Sequence, residues 1–84
     1  MLEPLVAKTL ELRPVNEKAS FYIAKELVLI EVSMLWYPAK INDNLARLKS
    51  LSYHVQLTFK QNTIAGELAT DIRALVESLQ AKLK

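Results

Sequence analysis

Residues 64–84 read IAGELATDIRALVESLQAKLK and carry the clearest structural pattern in the chain. Apolar side chains recur there every three or four residues: Ile64, Leu68, Ile72, Leu75, Leu79 and Leu83. This spacing places them on one face of an α-helix. Ala65 and Ala69 flank that face and are small enough to let a neighbouring helix come close. The stretch therefore predicts an amphipathic helix with a buried apolar face.

The scarcity of glycine extends this conclusion to the whole chain. Only one of the 84 residues is Gly (Gly66), three are Pro and none is Cys. Glycine supplies the backbone angles of tight hairpins and of phosphate-binding loops, so both are disfavoured. The absence of Cys excludes a disulfide framework, a thiol nucleophile and a Cys-based metal site. Gly66 itself marks either close contact with another backbone or a tolerated helix position.

Prolines and polar residues divide the chain into helices. The first helix has Pro4 in its first turn and runs to about Arg13, because Pro14 disfavours helical angles in the residue before it. Asn16 is a suitable N-cap for the second helix. The third helix runs to about Phe59.

Candidate N-caps precede the third and fourth helices: Asn42 or Asp43, and Asn62 or Thr63. The prediction is a single all-α domain spanning residues 1–84. It is an antiparallel bundle of three long helices, with the short N-terminal helix packed across it.

The second helix has more apolar residues than one buried face requires. Its core face is predicted at Ile23, Leu27, Ile30 and Met34, packed against Leu68, Ile72, Leu75 and Leu79 of the last helix. The remaining apolar residues give a candidate protein interface at Leu29, Trp36 and Tyr37, since Trp and Tyr are enriched at binding hot spots. An aromatic pair at a helix end also serves to cap a core, so both interpretations remain open.

A strand is the alternative for part of this helix. Val28, Ile30 and Val32 are β-branched and alternate along the chain. Leu27 and Leu29 between them are also apolar, and no turn residues bound the run, so the helix is the preferred prediction.

Net positive charge is concentrated in the middle of the chain. The net charge is +2 overall, whereas residues 38–62 carry Lys40, Arg47, Lys49 and Lys60 against Asp43. These four basic side chains form a candidate surface for nucleic-acid phosphates or for an acidic protein. A solvated helix face is the alternative, because duplex-binding domains usually have denser basic clusters.

Catalytic and cofactor chemistry has no recognisable signature. His54 is the only histidine and has no nucleophile or orienting partner beside it in the sequence. Glu67 and Asp71 lie four residues apart and suit a cation or a solvated face, but no histidine accompanies them. We therefore expect no enzyme, metal or cofactor. We also expect a cytoplasmic location without membrane association, because no secretory signal or run of about 20 apolar residues is present.

Part of the chain resembles a known family. Within residues 37–75, the segments Asn44-Leu45-Ala46-Arg47-Leu48 and Ile64-Ala65-Gly66-Glu67-Leu68-Ala69-Thr70-Asp71-Ile72-Arg73-Ala74-Leu75 resemble the N-terminal helical region of PriC-type primosomal replication proteins. The longer members of that family carry a basic DNA-binding part that this chain lacks. The resemblance implies a replication-associated helical protein and carries over no site residues.

These observations favour a small helical protein that binds another protein as an adaptor, inhibitor or regulatory subunit. The surplus of apolar residues on the second helix predicts a homodimer. The alternative function is a nucleic-acid-associated replication or regulatory factor that uses the basic middle helix.

Overall fold

The computed structural model describes residues 2–83, which form four α-helices. They are α1 (Glu3–Leu10), α2 (Glu17–Trp36), α3 (Ile41–Thr58) and α4 (Thr63–Leu83). A 3-10 turn, Pro38–Lys40, leads directly into α3. Helices make up 85% of the structure, and residues 2–83 contain no strand. The all-α prediction is confirmed, and the strand alternative is wrong because residues 28–32 lie inside α2.

Contacts between α2 and α3 show that these helices run in opposite directions. The Asn44 side chain donates a hydrogen bond to Ser33 Oγ near the end of α2, at 3.1 Å. The Tyr22 ring, near the start of α2, meets the His54 ring late in α3, with 5.6 Å between centroids. Early residues of one helix therefore face late residues of the other.

Helices α1 and α2 are also antiparallel. The Leu2 backbone N–H donates to the Glu31 carboxylate at 2.7 Å, and the Ser20 hydroxyl donates to the Thr9 carbonyl at 2.7 Å. Residues at the start of the chain thus lie beside the C-terminal half of α2. The end of α1 lies near the start of α2.

The helices are arranged as a ring in the order α1, α2, α3, α4, with α1 closing the ring against α4. Helix α1 therefore packs against both α2 and α4. The backbones of α2 and α4, residues 17–36 and 63–83, lie diagonally opposite and do not approach closely. The side chains predicted to pack together nevertheless share one core. Ile23, Leu27, Ile30, Leu68 and Ile72 are buried in it, and Met34, Leu75 and Leu79 are half-buried against it, while the backbone neighbours of α4 are α3 and α1.

The buried face of α4 is shifted from the predicted one. Its buried residues are Ala65, Leu68, Ala69, Ile72 and Val76. Leu75 and Leu79 are only half-buried, and Leu83 is 54% exposed. Helix α4 packs against α3 and α1, so the residues that face those two helices are buried, and the apolar residues beyond them stay partly exposed. Small side chains at Ala65 and Ala69 permit that packing.

Two of the predicted helix caps are confirmed by hydrogen bonds. The Asn16 side chain accepts from the Ala19 N–H at 3.1 Å, and the Asn62 side chain accepts from the Ala65 N–H at 2.9 Å. Each cap satisfies a backbone donor that has no partner within its helix.

The predicted starts and ends of α3 and α1 need correction. Helix α3 begins at Ile41 without a side-chain cap, so Asn42 and Asp43 lie in its first turn and are not caps. The preceding 3-10 turn continues into the helix and takes the place of a cap. Helix α1 ends at Leu10, three residues before Arg13, and the chain continues through turns to α2.

The connection between α3 and α4 reverses the chain without a glycine. Gln61 adopts a left-handed backbone angle, with φ of 62°, directly before the capping residue Asn62. This conformation costs an ordinary residue about 1–2 kcal/mol. The scarcity of glycine thus did not prevent a tight connection, and the chain meets that cost at one position.

Gly66 lies in the first turns of α4 and has a testable energetic effect. Apart from the neighbouring residues and backbone of α4 itself, no atom lies within 4 Å of the position that a β-carbon would occupy there, so close contact with another helix is not its role. We expect Gly66→Ala to stabilise the fold by about 0.5–1 kcal/mol through helix propensity, measured by chemical denaturation. Ala74→Gly, at an exposed position of the same helix, should have the opposite effect. A destabilised Gly66→Ala protein would contradict this interpretation.

Candidate protein-interaction face

The most unusual surface of the molecule is the side of α2 that points away from the core. The exposed residues between positions 21 and 36 are seven large apolar or aromatic side chains and one lysine: Phe21, Tyr22, Lys25, Val28, Leu29, Val32, Leu35 and Trp36. We call these eight residues the outer face of α2. Of the twelve exposed large hydrophobic residues within residues 2–83, seven lie on α2 and an eighth, Tyr37, directly follows it, so the exposed apolar surface is concentrated at this helix.

Helix α2 is apolar on two opposite sides. Ile23, Leu27 and Ile30 are at most 1% exposed and point into the core. The outer-face apolar residues range from 44% exposed at Val32 to 75% at Trp36. A helix that is apolar all round is normally buried on both sides. One side of α2 therefore has the composition of a buried surface but faces solvent.

The exposed apolar area of the outer face is large for a protein of this size. Three of the seven apolar residues are aromatic, with side-chain surfaces of about 150–250 Å² each, and all seven are between 44% and 75% exposed, so together they expose on the order of several hundred Å². The largest apolar patch on a typical monomer measures about 300–600 Å². Extended apolar surface of this kind is characteristic of interaction sites.

The outer face follows a seven-residue repeat. Phe21, Val28 and Leu35 are seven apart, as are Tyr22, Leu29 and Trp36. Side chains repeating in this way form a nearly straight stripe along a helix, which is the arrangement that another helix packs against. The shape of the surface thus suits an extended helical partner.

On the α1 side, the face borders a shallow groove of about 280 Å³. The groove is lined by Glu3, Val6, Ala7, Leu10, Val28 and Glu31. The hydrogen bond from the Leu2 N–H lowers the pKa of the Glu31 carboxyl, so this group is charged at neutral pH. The face is therefore bounded by an anionic residue on this side.

On the α3 side, polar contacts bound the face. The Arg47 guanidinium lies 3.2 Å from the Glu26 carboxylate, and the Tyr22 ring contacts His54 edge-on. Lys25 is the one charged residue on the face itself, and its Nζ lies 5.5 Å from the centroid of the Tyr22 ring. The exposed residues that follow Lys25 on this face are all apolar, so the centre of the face, at Val28 and Leu29, carries no charged side chain.

The three predicted interface residues lie at this surface. Leu29 and Trp36 belong to the outer face, and Tyr37 directly follows α2 with 58% exposure. Lys40 Nζ lies 5.4 Å from the centroid of the Tyr37 ring. The sequence interpretation missed Phe21 and Tyr22, although their seven-residue spacing to Val28 and Leu29 was a usable signal.

The four predicted basic residues do not share one side of α3. Arg47 lies toward α2, where it pairs with Glu26. Lys40 lies in the 3-10 turn before α3, beside Tyr37. Lys49 lies on the flank facing α4, in a groove of about 230 Å³ that also contains Tyr53, Arg73 and Glu77. Lys60 lies beyond the end of α3, in the connection to α4. The two basic groups on α3 itself are thus divided between its two flanks.

Buried polar groups have structural roles in this fold. The Thr9 hydroxyl donates to the Leu5 carbonyl at 2.7 Å, and the Ser52 hydroxyl donates to the Lys49 carbonyl at 2.6 Å. Within residues 2–83, no three His, Asp or Glu side chains are grouped as metal ligands. None of the helices in that range combines the length and apolar content needed to cross a membrane.

Comparison of the chain with protein-family models finds no match, and comparisons with curated proteins and with solved structures find none either. The resemblance to PriC-type proteins therefore rests only on the short segments of α3 and α4 that suggested it.

Proposed function

We propose that this chain is a non-enzymatic protein-interaction module whose binding surface is the outer face of α2. The observation that carries the proposal is the concentration of exposed apolar residues on one helix. Leaving such a surface in water is unfavourable. A domain of 84 residues buries a smaller fraction of its surface than a larger protein does, so it has little stability to spare. Covering the face with a partner recovers the lost burial.

The chemistry of the face supports protein as the class of partner. Aromatic anchors at both ends, Phe21 and Tyr22 at one and Trp36 at the other, are typical of binding hot spots. Rim polar groups such as Glu26 and Glu31 surround an apolar centre, as in specific protein interfaces. Adaptor, inhibitor and regulatory roles all use such a surface.

The second hypothesis, nucleic-acid binding, has less support. A phosphate-binding surface requires basic groups that converge on one side. Arg47 already pairs with Glu26, and Lys49 lies on the other flank of α3. This alternative stays a prediction from the sequence.

Site-specific photo-crosslinking tests the proposed function. A photoreactive amino acid replaces Leu29 on the outer face, and in a matched protein it replaces Leu57, which is 69% exposed on α3. We expect protein adducts from position 29, either with another protein or with a second copy, and few from position 57. The adduct should disappear when Trp36→Glu is added, and purified components should reproduce it. Equal labelling from both positions, or none from position 29, would refute the proposal.

A further inference from the structure

We propose that the occupant of the outer face of α2 is a second copy of this chain, with the two α2 helices packed antiparallel about a two-fold axis near Val28 and Leu29. This inference rests on the proposed function, because it names the partner of the same surface. Three properties of the face support it: its area, its nearly uncharged centre and the position of its single lysine.

The exposed area matches what a stable dimer needs. A standard protein interface buries about 800 Å² on each partner. The outer face offers on the order of several hundred Å² from its seven exposed apolar residues, three of them aromatic, which is of the same order. One copy laid along another covers this surface over the whole length from Phe21 to Trp36.

The near absence of charge favours a copy over an unlike partner. Interfaces between different proteins obtain specificity and register from complementary charges. Within residues 21–36 the outer face has only Lys25, and its centre is Val28 and Leu29. A two-fold interface requires a patch that is complementary to itself, and an apolar centre fulfils that condition.

The position of Lys25 selects the antiparallel direction. In a parallel pair in register, Lys25 would face its own copy across the seam, and like charges in that position repel. In an antiparallel pair centred between residues 28 and 29, the two Lys25 side chains are roughly 10 Å apart along the seam at 1.5 Å per residue. Each lysine already leans toward its own Tyr22, away from the centre. The antiparallel arrangement therefore buries the apolar centre without pairing the two charges.

Sedimentation equilibrium tests the dimer. At micromolar concentration we expect a mass near twice 9.5 kDa. Leu29→Lys should halve that mass, because it places two cations beside the axis. Trp36→Glu should also shift the mass toward monomer. Leu57→Lys is the matched control, since it adds the same charge to an exposed leucine of α3 and should leave the mass unchanged. Circular dichroism checks that each variant is folded.

Cysteine crosslinking tests the direction, and the chain has no native cysteine to interfere. A disulfide requires α-carbons about 4.4–6.8 Å apart. With the two-fold axis between residues 28 and 29, the two copies of position 29 lie only about 1.5 Å apart along the seam. Leu29→Cys should therefore crosslink with its own copy. In the antiparallel dimer, two Tyr22→Cys positions lie roughly 20 Å apart by helical rise and should not crosslink. A mixture of Tyr22→Cys and Trp36→Cys proteins should give a mixed crosslink.

The outcomes separate this inference from the proposed function. A clean monomer, or a dimer that persists with Leu29→Lys, overturns the inference. Self-crosslinking of Tyr22→Cys as efficient as that of Leu29→Cys overturns the antiparallel arrangement. If a monomer still gives a reproducible adduct with another protein from position 29, the proposed function stands and the partner is that protein. If it gives no adduct from position 29, both proposals fail.

Discussion

Ile72→Ala should unfold at a markedly lower temperature than the parent protein. Ile72 is fully buried near the middle of α4, among core residues from α1, α2 and α3. Truncation removes buried apolar volume and leaves a cavity, which costs about 2–4 kcal/mol. In a domain of this size, each kcal/mol lowers the melting temperature by about 4–8 °C, so a fall of roughly 8–32 °C is expected.

Leu83→Ala is the matched control, since Leu83 is on the same predicted stripe but 54% exposed. Its effect should stay within about 0.5 kcal/mol. Both variants should be melted at one protein concentration, because self-association makes the melting temperature depend on concentration. An Ile72→Ala melting temperature within a degree or two of the parent would show that the described register of α4 is wrong.

Leu12→Ala should have an effect of similar size, although Leu12 lies outside any helix. Its side chain is fully buried in the turn between α1 and α2. Its carbonyl accepts hydrogen bonds from the Val15 and Asn16 N–H groups at 3.0 and 3.2 Å. Loss of the side chain should cost about 2–4 kcal/mol, and native-state hydrogen exchange should become faster throughout α1.

Val15→Ala provides the comparison for this turn, because Val15 is apolar but 59% exposed. It should change stability by less than about 0.5 kcal/mol. If Leu12→Ala leaves both the stability and the protection of α1 unchanged, Leu12 does not anchor the connection.

Much of the fold follows from local sequence patterns. The helices begin or end at residues whose backbone preferences are strong, such as Pro4, Asn16 and Asn62, and these positions were predicted correctly. The predicted caps of α3 were wrong, because the start of that helix depends on the segment before it. Asn42 and Asp43 are suitable caps by residue type, but the 3-10 turn at Pro38 begins helical geometry before them.

Which side of a helix is buried depends on its neighbours as well as on its periodicity. Helix α2 is apolar on both sides, so its pattern alone does not distinguish the core side from the outer face. In α4, the apolar stripe continues to Leu83, but α1 has only eight residues, about 12 Å of helix, and lies beside the first half of α4. Leu79 and Leu83 extend beyond the part of α4 that it covers.

The ring arrangement of the helices has a consequence for folding kinetics. Each neighbouring pair of helices is consecutive in the sequence except α1 and α4, which the Lys8 ammonium joins by contacts of 3.5 Å to Glu67 and 3.0 Å to Asp71. Contacts between consecutive helices close short loops and form rapidly, whereas contacts distant in sequence form late. We therefore expect pairing of α2 with α3 and of α3 with α4 to precede docking of α1 on α4. The reverse step, release of α1 from α4, is the natural first opening of the native bundle.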